Sequence, residues 1–127
     1  MIDFIEKCLR TESTRFCNLE DGEGKDYNKE RLLHACMGMQ TETAEFTDAL
    51  KKSIFYGKTL DVVNLKEELG DLLWYVSIAL DELGTTFEAE QERVINKLKL
   101  RYPEKFTEDK AINRDVKAER VLLEENL

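Results

Sequence analysis

Proline and glycine are scarce in this sequence, with one proline and six glycines among 127 residues. So little turn-forming material argues against a fold of many short strands and favours an all-α protein. No apolar run approaches the roughly 18 residues that a membrane-spanning helix needs, so no membrane association is expected. The three cysteines form no CxxC pair and cannot all pair within one chain. We therefore expect reduced thiols in a cytoplasmic protein and no structural zinc.

Basic residues are outnumbered, since 19 Lys and Arg stand against 27 Asp and Glu and give a formal net charge of −8. That sign opposes the phosphate backbone, so nucleic acid is not an expected partner. Apolar residues make up 42% of the chain, enough for the core of a single domain spanning residues 1–127. Because the apolar stripes of its helices look wider than one small chain would cover, we expect a homodimer or homotetramer, in which the helices join a larger bundle.

Apolar periodicity and capping residues predict a bundle of four to five helices. The predicted helices run from Ile2 to Leu9, Lys29 to Phe55, Asp61 to Leu83, Thr85 or Thr86 to Arg101, and Ala111 to Glu125. Gly57 and Gly84 are the expected stops of the two long helices, and the polar stretch 18–28 is an expected loop. We expect the core at about 28–106 and a peripheral helix or arm at 107–127.

Each of the two long helices carries a pair of acids three residues apart, Glu42 and Glu45 in TETAEF and Glu68 and Asp71 in KEELGD. This spacing alone is common in so acidic a chain, and exposed charge is the usual fate of such residues. The position of the acids relative to the apolar stripe of each helix is more informative about their role. At about 100° per residue, each helix has its apolar stripe on one side of the first acid and the second acid roughly 60° to the other side. If the helices pack antiparallel, as a short connection favours, the four carboxylates converge.

Four clustered carboxylates repel one another unless they are protonated or neutralised by cations. Carboxylate oxygen is the hard ligand that Mg²⁺ prefers, with Mn²⁺ as a possible substitute. A di-iron centre of the ferritin-like kind would need paired Glu-x-x-His motifs, and the one histidine, His34, does not lie three residues after a Glu. The sequence therefore predicts a Mg²⁺ site held by the four acids.

The ExxE pattern followed by EELGDLLWY resembles the MazG-type all-α nucleoside triphosphate pyrophosphohydrolases. The later NKLKLRYPEKF, at 96–106, is similar to the same family's KLxxRYP signature, and the resemblance covers about Arg31 to Phe106. The family often has an Asn three residues before the lysine of that signature, where this chain has Val94.

The resemblance implies an enzyme that hydrolyses an NTP or dNTP between its α and β phosphates, giving a nucleoside monophosphate and pyrophosphate in nucleotide-pool sanitation or adjustment. Mg²⁺ ions held by the four acids would offset the charge of the triphosphate and orient the attacking water. Either Glu42 or Glu45 is expected to take the proton from that water. Asp48 and Glu67 lie next to the four acids of the ExxE and ExxD pattern. Each is expected either to support the metal ligands or to be solvated surface.

Several residues are candidates for contacts with the rest of the nucleotide. Lys52 lies on the acid side of its helix and is predicted to bind phosphate, unless it is simply solvated. Lys97 and Arg101 match the family signature and lie on one helix face, so phosphate binding or ion pairs within the site frame are expected.

Base or sugar contacts are predicted for Asn64, Tyr75 and His34. For each a structural role is the alternative: Asn64 could bond locally, Tyr75 could be buried, and His34 could simply pack. Trp74 faces away from the acids and is interpreted as packing or as a subunit interface.

A different class of function remains open from the residues alone. The acids could be ordinary polar helix faces of a non-catalytic helical interaction module, with the C-terminal arm as its binding surface. The matching placement of both acid pairs favours the enzyme.

Overall fold

A pair of long helices forms the centre of the computed structural model, which describes residues 4–15, 17 and 24–125. Within these residues the secondary structure is helical, and the predicted all-α class is confirmed. The helices are α1 Phe4–Leu9, α2 Lys29–Tyr56, α3 Val62–Leu83, α4 Phe87–Arg101, α5 Glu108–Ile112 and α6 Val116–Glu124. The predictions for residues 2–3 and 18–23 lie outside the described part of the chain.

Local capping fixes the ends of α2 and α3. Asn28 caps α2, and its side chain accepts a 2.9 Å hydrogen bond from the backbone N–H of Arg31. Asp61 caps α3 by accepting from two backbone N–H groups at 3.0 and 3.1 Å. Both helices end at a glycine in the left-handed region, Gly57 with φ of 65° and Gly84 with φ of 69°. These are the predicted stops, because a residue with a Cβ is strained in that conformation.

Contacts along their length show that α2 and α3 pack antiparallel, as predicted. At the start of α2, the backbone N–H of Asn28 donates a 2.6 Å hydrogen bond to Glu82, near the end of α3. The Arg31 guanidinium also pairs with Glu82, at 3.1 Å. Further along, Gly38 of α2 lies against Tyr75 of α3. The acids at the middle of each helix are thereby brought to the same level.

The C-terminal part differs from the single predicted segment at 111–125. Thr107 and Asp115 each accept a hydrogen bond from a backbone N–H three residues later, so that two short helices form where one was expected. This division brings the count to six helices among the described residues instead of four to five. Thr86, one of the two predicted caps, is the N-cap of α4.

A buried ion cluster holds α6 against α4. Glu119, only 4% exposed, accepts two 2.7 Å hydrogen bonds from Arg101 and a third, also 2.7 Å, from Arg114. The two guanidinium groups, Arg101 above all, lower the pKa of Glu119 to about 2. The pairing compensates the cost of removing this carboxylate from water.

Little of the apolar surface is covered within one chain. Among the described residues, Ala35 is the one fully buried hydrophobic residue. Several large apolar side chains of α2 and α3 are half exposed or more: Leu33, Met37, Leu69, Leu73 and Trp74. A search of the described residues finds no helix that is both long and apolar enough to cross a membrane.

Candidate metal centre

Three of the four predicted carboxylates meet between α2 and α3. Glu42 of α2 and Glu68 and Asp71 of α3 each offer an oxygen atom, and these atoms lie within 4.8 Å of one another. The residues differ in burial, since Glu68 is 5% exposed while Asp71 is open to solvent. The antiparallel packing of the two helices produces the convergence that their periodicity predicted.

The cluster is electrostatically unfavourable for its own acids. Partial burial, followed by the nearby charges of Glu45, Asp71 and Glu68, raises the pKa of the Glu42 carboxyl above its ordinary value. A bound cation would relieve this repulsion. The donors are all carboxylate oxygens, the ligand type that suits hard divalent ions such as Mg²⁺ and Mn²⁺. The residues present therefore fit a divalent metal.

Asn64 holds one of the three carboxylates in place. Its Nδ2 donates a 2.7 Å hydrogen bond to Oε1 of Glu68, one helical turn further along α3. The sequence leaves two alternatives for Asn64, a base or sugar contact and a local hydrogen bond. The structure shows the local hydrogen bond. Donation by a neighbouring amide restricts the rotation of a carboxylate and fixes the direction of its oxygens.

Glu45 is placed differently from the other three acids, although its charge contributes to the raised pKa of Glu42. It is exposed and does not belong to the group whose oxygens lie within 4.8 Å of one another. It lines an open cavity of about 380 Å³ that reaches the acid cluster at Glu68. The cavity is bounded by both acidic and basic side chains and by the connection between the helices: Glu45, Asp48, Ala49, Lys52, Lys58, Thr59, Asp61, Asn64 and Glu68.

Two lysines face this cavity. Lys52 pairs with Asp48 one turn earlier on α2, and both line the cavity wall. The ion pair raises the pKa of Lys52 and lowers the pKa of Asp48. Lys58 lines the same cavity from the segment after α2. The cavity lining therefore includes positive charge as well as the carboxylate of Glu68, which suits an anionic ligand bound together with a cation.

The aromatic candidates pack together beside the cluster. The Tyr75 ring is half-buried against Gly38 and meets the rings of His34 and Trp74 edge to face, with centroids 5.8 and 4.9 Å away. His34 itself is exposed. Trp74 is 58% exposed.

The two candidates on α4 lie in the C-terminal part of the fold. Arg101 is engaged by Glu119 and lines a second cavity, formed with residues of α5 and α6. Lys97 is half-buried on the same helix. The pair of Arg101 with Glu119 holds α6 against α4. Phosphate binding or an ion pair within the site frame stays a prediction for Arg101.

A family model described as the MazG nucleotide pyrophosphohydrolase domain matches residues 31–106, more than half of the chain. The chain belongs to the MazG nucleotide pyrophosphohydrolase family. No curated protein and no solved structure matches the chain significantly. The MazG match spans α2 to α4, with all four acids and the whole cavity, and ends before α5. The C-terminal helices lie outside it.

Some residues of the candidate site and of the C-terminal ion cluster do not follow from the sequence pattern. Gly38 contacts Tyr75 where α2 and α3 meet, and its four-residue spacing from Glu42 was the available signal. Thr59 reaches the cavity from the connection between the helices, where no periodic pattern exists. Glu119 and Arg114 meet Arg101 only through tertiary packing.

Proposed function

We propose that this protein hydrolyses an NTP or dNTP between its α and β phosphates, releasing a nucleoside monophosphate and pyrophosphate. The observation that carries the proposal is the group of three carboxylate oxygens within 4.8 Å, opening onto a cavity that also contains two lysines. A cavity of about 380 Å³ is in the range of small-ligand sites, roughly 300–1,000 Å³. Family membership supports the reaction class. The proposed activity sanitises or adjusts the nucleotide pool, in the cytoplasm.

Glu42, Glu68 and Asp71 would hold Mg²⁺, or Mn²⁺ as a substitute. When bound, the ion would offset the charge of the triphosphate and orient an attacking water. Asn64 would restrict the orientation of the Glu68 carboxylate through its 2.7 Å hydrogen bond. With one carboxylate from α2 and two from α3, the site depends on how closely these helices approach.

Glu45 is our candidate for the group that takes the proton from water. It lies one turn from Glu42, faces the cavity and is not among the three clustered acids, so its carboxylate is free to act as a base. Glu42 is the alternative base. Glu45 could also serve as a fourth metal ligand, as its ExxE motif implies.

Lys52 and Lys58, which both line the cavity, would bind the phosphate chain. Binding by Lys52 would require it to leave or share its contact with Asp48. Tyr75, His34 and Asn64 remain candidates for base or sugar contacts, and Lys97 and Arg101 for phosphate contacts from α4.

We also propose that the protein works as a homodimer or homotetramer. Leu33 and Met37 lie one turn apart on α2, and Leu69 and Leu73 are spaced alike on α3. These four side chains are 50–58% exposed, which leaves an apolar surface that a second copy would cover. Sedimentation velocity is expected to show a mass of at least two chains. A single species of 14.8 kDa over the working concentration range would contradict this proposal.

A panel of the common NTPs and dNTPs tests the proposed reaction. The purified protein is incubated with each nucleotide and Mg²⁺, and pyrophosphate release is followed with a coupled assay. We expect turnover of at least one nucleotide, abolished by EDTA and restored by excess Mg²⁺. A folded protein that turns over none of them would favour the helical interaction module instead.

A further inference from the structure

Gly38 and Tyr75 meet between α2 and α3 directly beside the acid cluster. Gly38 lies four residues before Glu42, and Tyr75 lies four residues after Asp71. Four residues rise about 6 Å along a helix, so this contact lies one turn from the carboxylates on the same interface. A change in helix separation here is transmitted to Glu42 on one side and to Asp71 on the other.

The contact leaves no room for a side chain on Gly38. A Cβ built there would lie closer than 3.0 Å to three atoms of the Tyr75 ring, Cγ, Cδ1 and Cε1. Because Cγ is the first ring atom, the clash can be relieved only by swinging the whole ring to another rotamer or by separating the helices. The rings of His34 and Trp74 pack edge-on against Tyr75 and oppose the swing.

Helix propensity does not explain the glycine. Glycine is less favourable than alanine in the interior of a helix, because it loses more backbone freedom on folding. Gly70, in the interior of α3, gives the contrast, since a Cβ there would meet nothing within 4 Å. At Gly38 the missing side chain is what allows the tyrosine ring to lie against the α2 backbone.

We propose that Gly38 and Tyr75 act as a spacer that sets the distance between α2 and α3 at the acid cluster and so favours Mg²⁺ over the larger Ca²⁺. Mg²⁺ needs near-ideal octahedral geometry at about 2.0–2.1 Å, whereas Ca²⁺ accepts ligands at about 2.3–2.6 Å in more flexible arrangements. Glu42 faces the other two ligands across the helix interface, so the spacer controls that gap. Both are positioning residues, and the inference rests on the proposed metal site.

The test measures metal binding without nucleotide. Calorimetric titrations with MgCl₂ and with CaCl₂ compare the wild type, Gly38→Ala, Tyr75→Ala and the double variant, with Gly70→Ala as the matched control. Circular dichroism confirms folding at the titration temperature. For Gly38→Ala we expect Mg²⁺ affinity to fall by about tenfold or more and Ca²⁺ affinity by about threefold or less. Gly70→Ala is expected to change both by less than about twofold, as its site is open.

The double variant distinguishes a change in the distance between α2 and α3 from a general loss of stability. Once Tyr75 is alanine, the added methyl at Gly38 has room, so the double variant should bind Mg²⁺ as Tyr75→Ala does. Should Gly38→Ala fail to fold, Tyr75→Ala alone is expected to lower the preference for Mg²⁺ over Ca²⁺ several-fold.

Three results would overturn the spacer: unchanged Mg²⁺ affinity in Gly38→Ala, equal losses for Mg²⁺ and Ca²⁺, or the same loss in Gly70→Ala. If Gly38→Ala does not fold and Tyr75→Ala is used instead, an unchanged preference for Mg²⁺ over Ca²⁺ in Tyr75→Ala would also overturn the proposed spacer. A wild-type protein that binds neither ion would refute the metal site itself, and the spacer with it. The wild-type titration therefore distinguishes failure of the proposed function from failure of the spacer.

Discussion

The amide of Asn64 donates a 2.7 Å hydrogen bond to Oε1 of Glu68, joining the first turn of α3 to the most buried carboxylate of the acid cluster. Asp61, the N-cap of the helix, accepts from the backbone N–H of Asn64 at 3.1 Å and fixes the start of this turn. The helix cap, the amide and the carboxylate thus form one continuous chain of contacts. Glu68 is held in one orientation before any metal binds.

Asn64→Ala is expected to weaken Mg²⁺ binding by about 10- to 100-fold, the usual cost of losing a partner of a metal ligand. Titration of the nucleotide-free protein with MgCl₂ measures this. Asn113→Ala is the matched control, because it removes an amide-to-carboxylate hydrogen bond of the same 2.7 Å length at the C-terminal end of α5. If metal affinity were unchanged and only KM for nucleotide rose, Asn64 would instead be a base or sugar contact.

Glu68→Gln replaces the buried carboxylate proposed to hold the metal with an uncharged side chain of the same shape. We expect metal-dependent kcat/KM to fall at least about 100-fold, because the charge that balances the cation is lost. Helicity by circular dichroism should stay close to that of the wild type. Glu67→Gln makes the same chemical change at an exposed neighbour and is expected to retain activity. Equal activity of the two variants would contradict the assignment of Glu68 to the metal.

Lys52→Ala tests the proposed contact between Lys52 and phosphate in the cavity. Loss of a charged hydrogen-bond donor to phosphate is expected to raise KM about tenfold, with little effect on metal affinity. Lys51→Ala, next to it in sequence but outside the cavity lining, is the control and should leave KM unchanged. Steady-state kinetics at saturating Mg²⁺ distinguish the two. The same KM for Lys52→Ala and wild type would mean that the lysine serves only its pair with Asp48.

The Arg101–Glu119–Arg114 cluster makes stability depend on acid pH. Arg101 and Arg114 lower the pKa of Glu119 from 4.5 to about 2 in the folded protein. A group with a depressed pKa stabilises the fold fully above its unfolded-state value, and that contribution is lost as pH falls toward the folded-state value. We therefore expect this stabilisation to be present at neutral pH and to decline between about 4.5 and 2.

Thermal unfolding of the wild type and of Glu119→Gln across that pH range measures the effect. The variant should have the lower Tm at neutral pH, and the difference should shrink as the medium becomes more acidic. Glu124→Gln, which removes an exposed partner of Arg120 on the same helix, is expected to change Tm little. Parallel Tm curves for the wild type and Glu119→Gln would contradict the lowered pKa.

The parts of the fold that depend on neighbours in sequence were predictable. Asp61 and Gly84 act within a turn of their own positions, so the limits of α3 follow from the sequence itself. The convergence of Glu42 with Glu68 and Asp71 follows from helical periodicity and a short connection. By contrast, the break between α5 and α6 depends on the cap at Asp115, which the thin apolar pattern obscured.

Features that depend on tertiary packing were not predictable from sequence. Periodicity treats Glu45 as equivalent to the other acids, yet its orientation toward the cavity depends on how α2 crosses α3. Arg101 reaches Glu119 across 18 residues of chain, a contact that no local pattern encodes.

The most direct test of the central claim is ³¹P NMR of the products formed from the best substrate of the nucleotide panel. The account predicts nucleoside monophosphate and pyrophosphate in equal amounts, dependent on Mg²⁺ and lost in Glu68→Gln. Nucleoside diphosphate with orthophosphate, or equal turnover by Glu68→Gln, would contradict it.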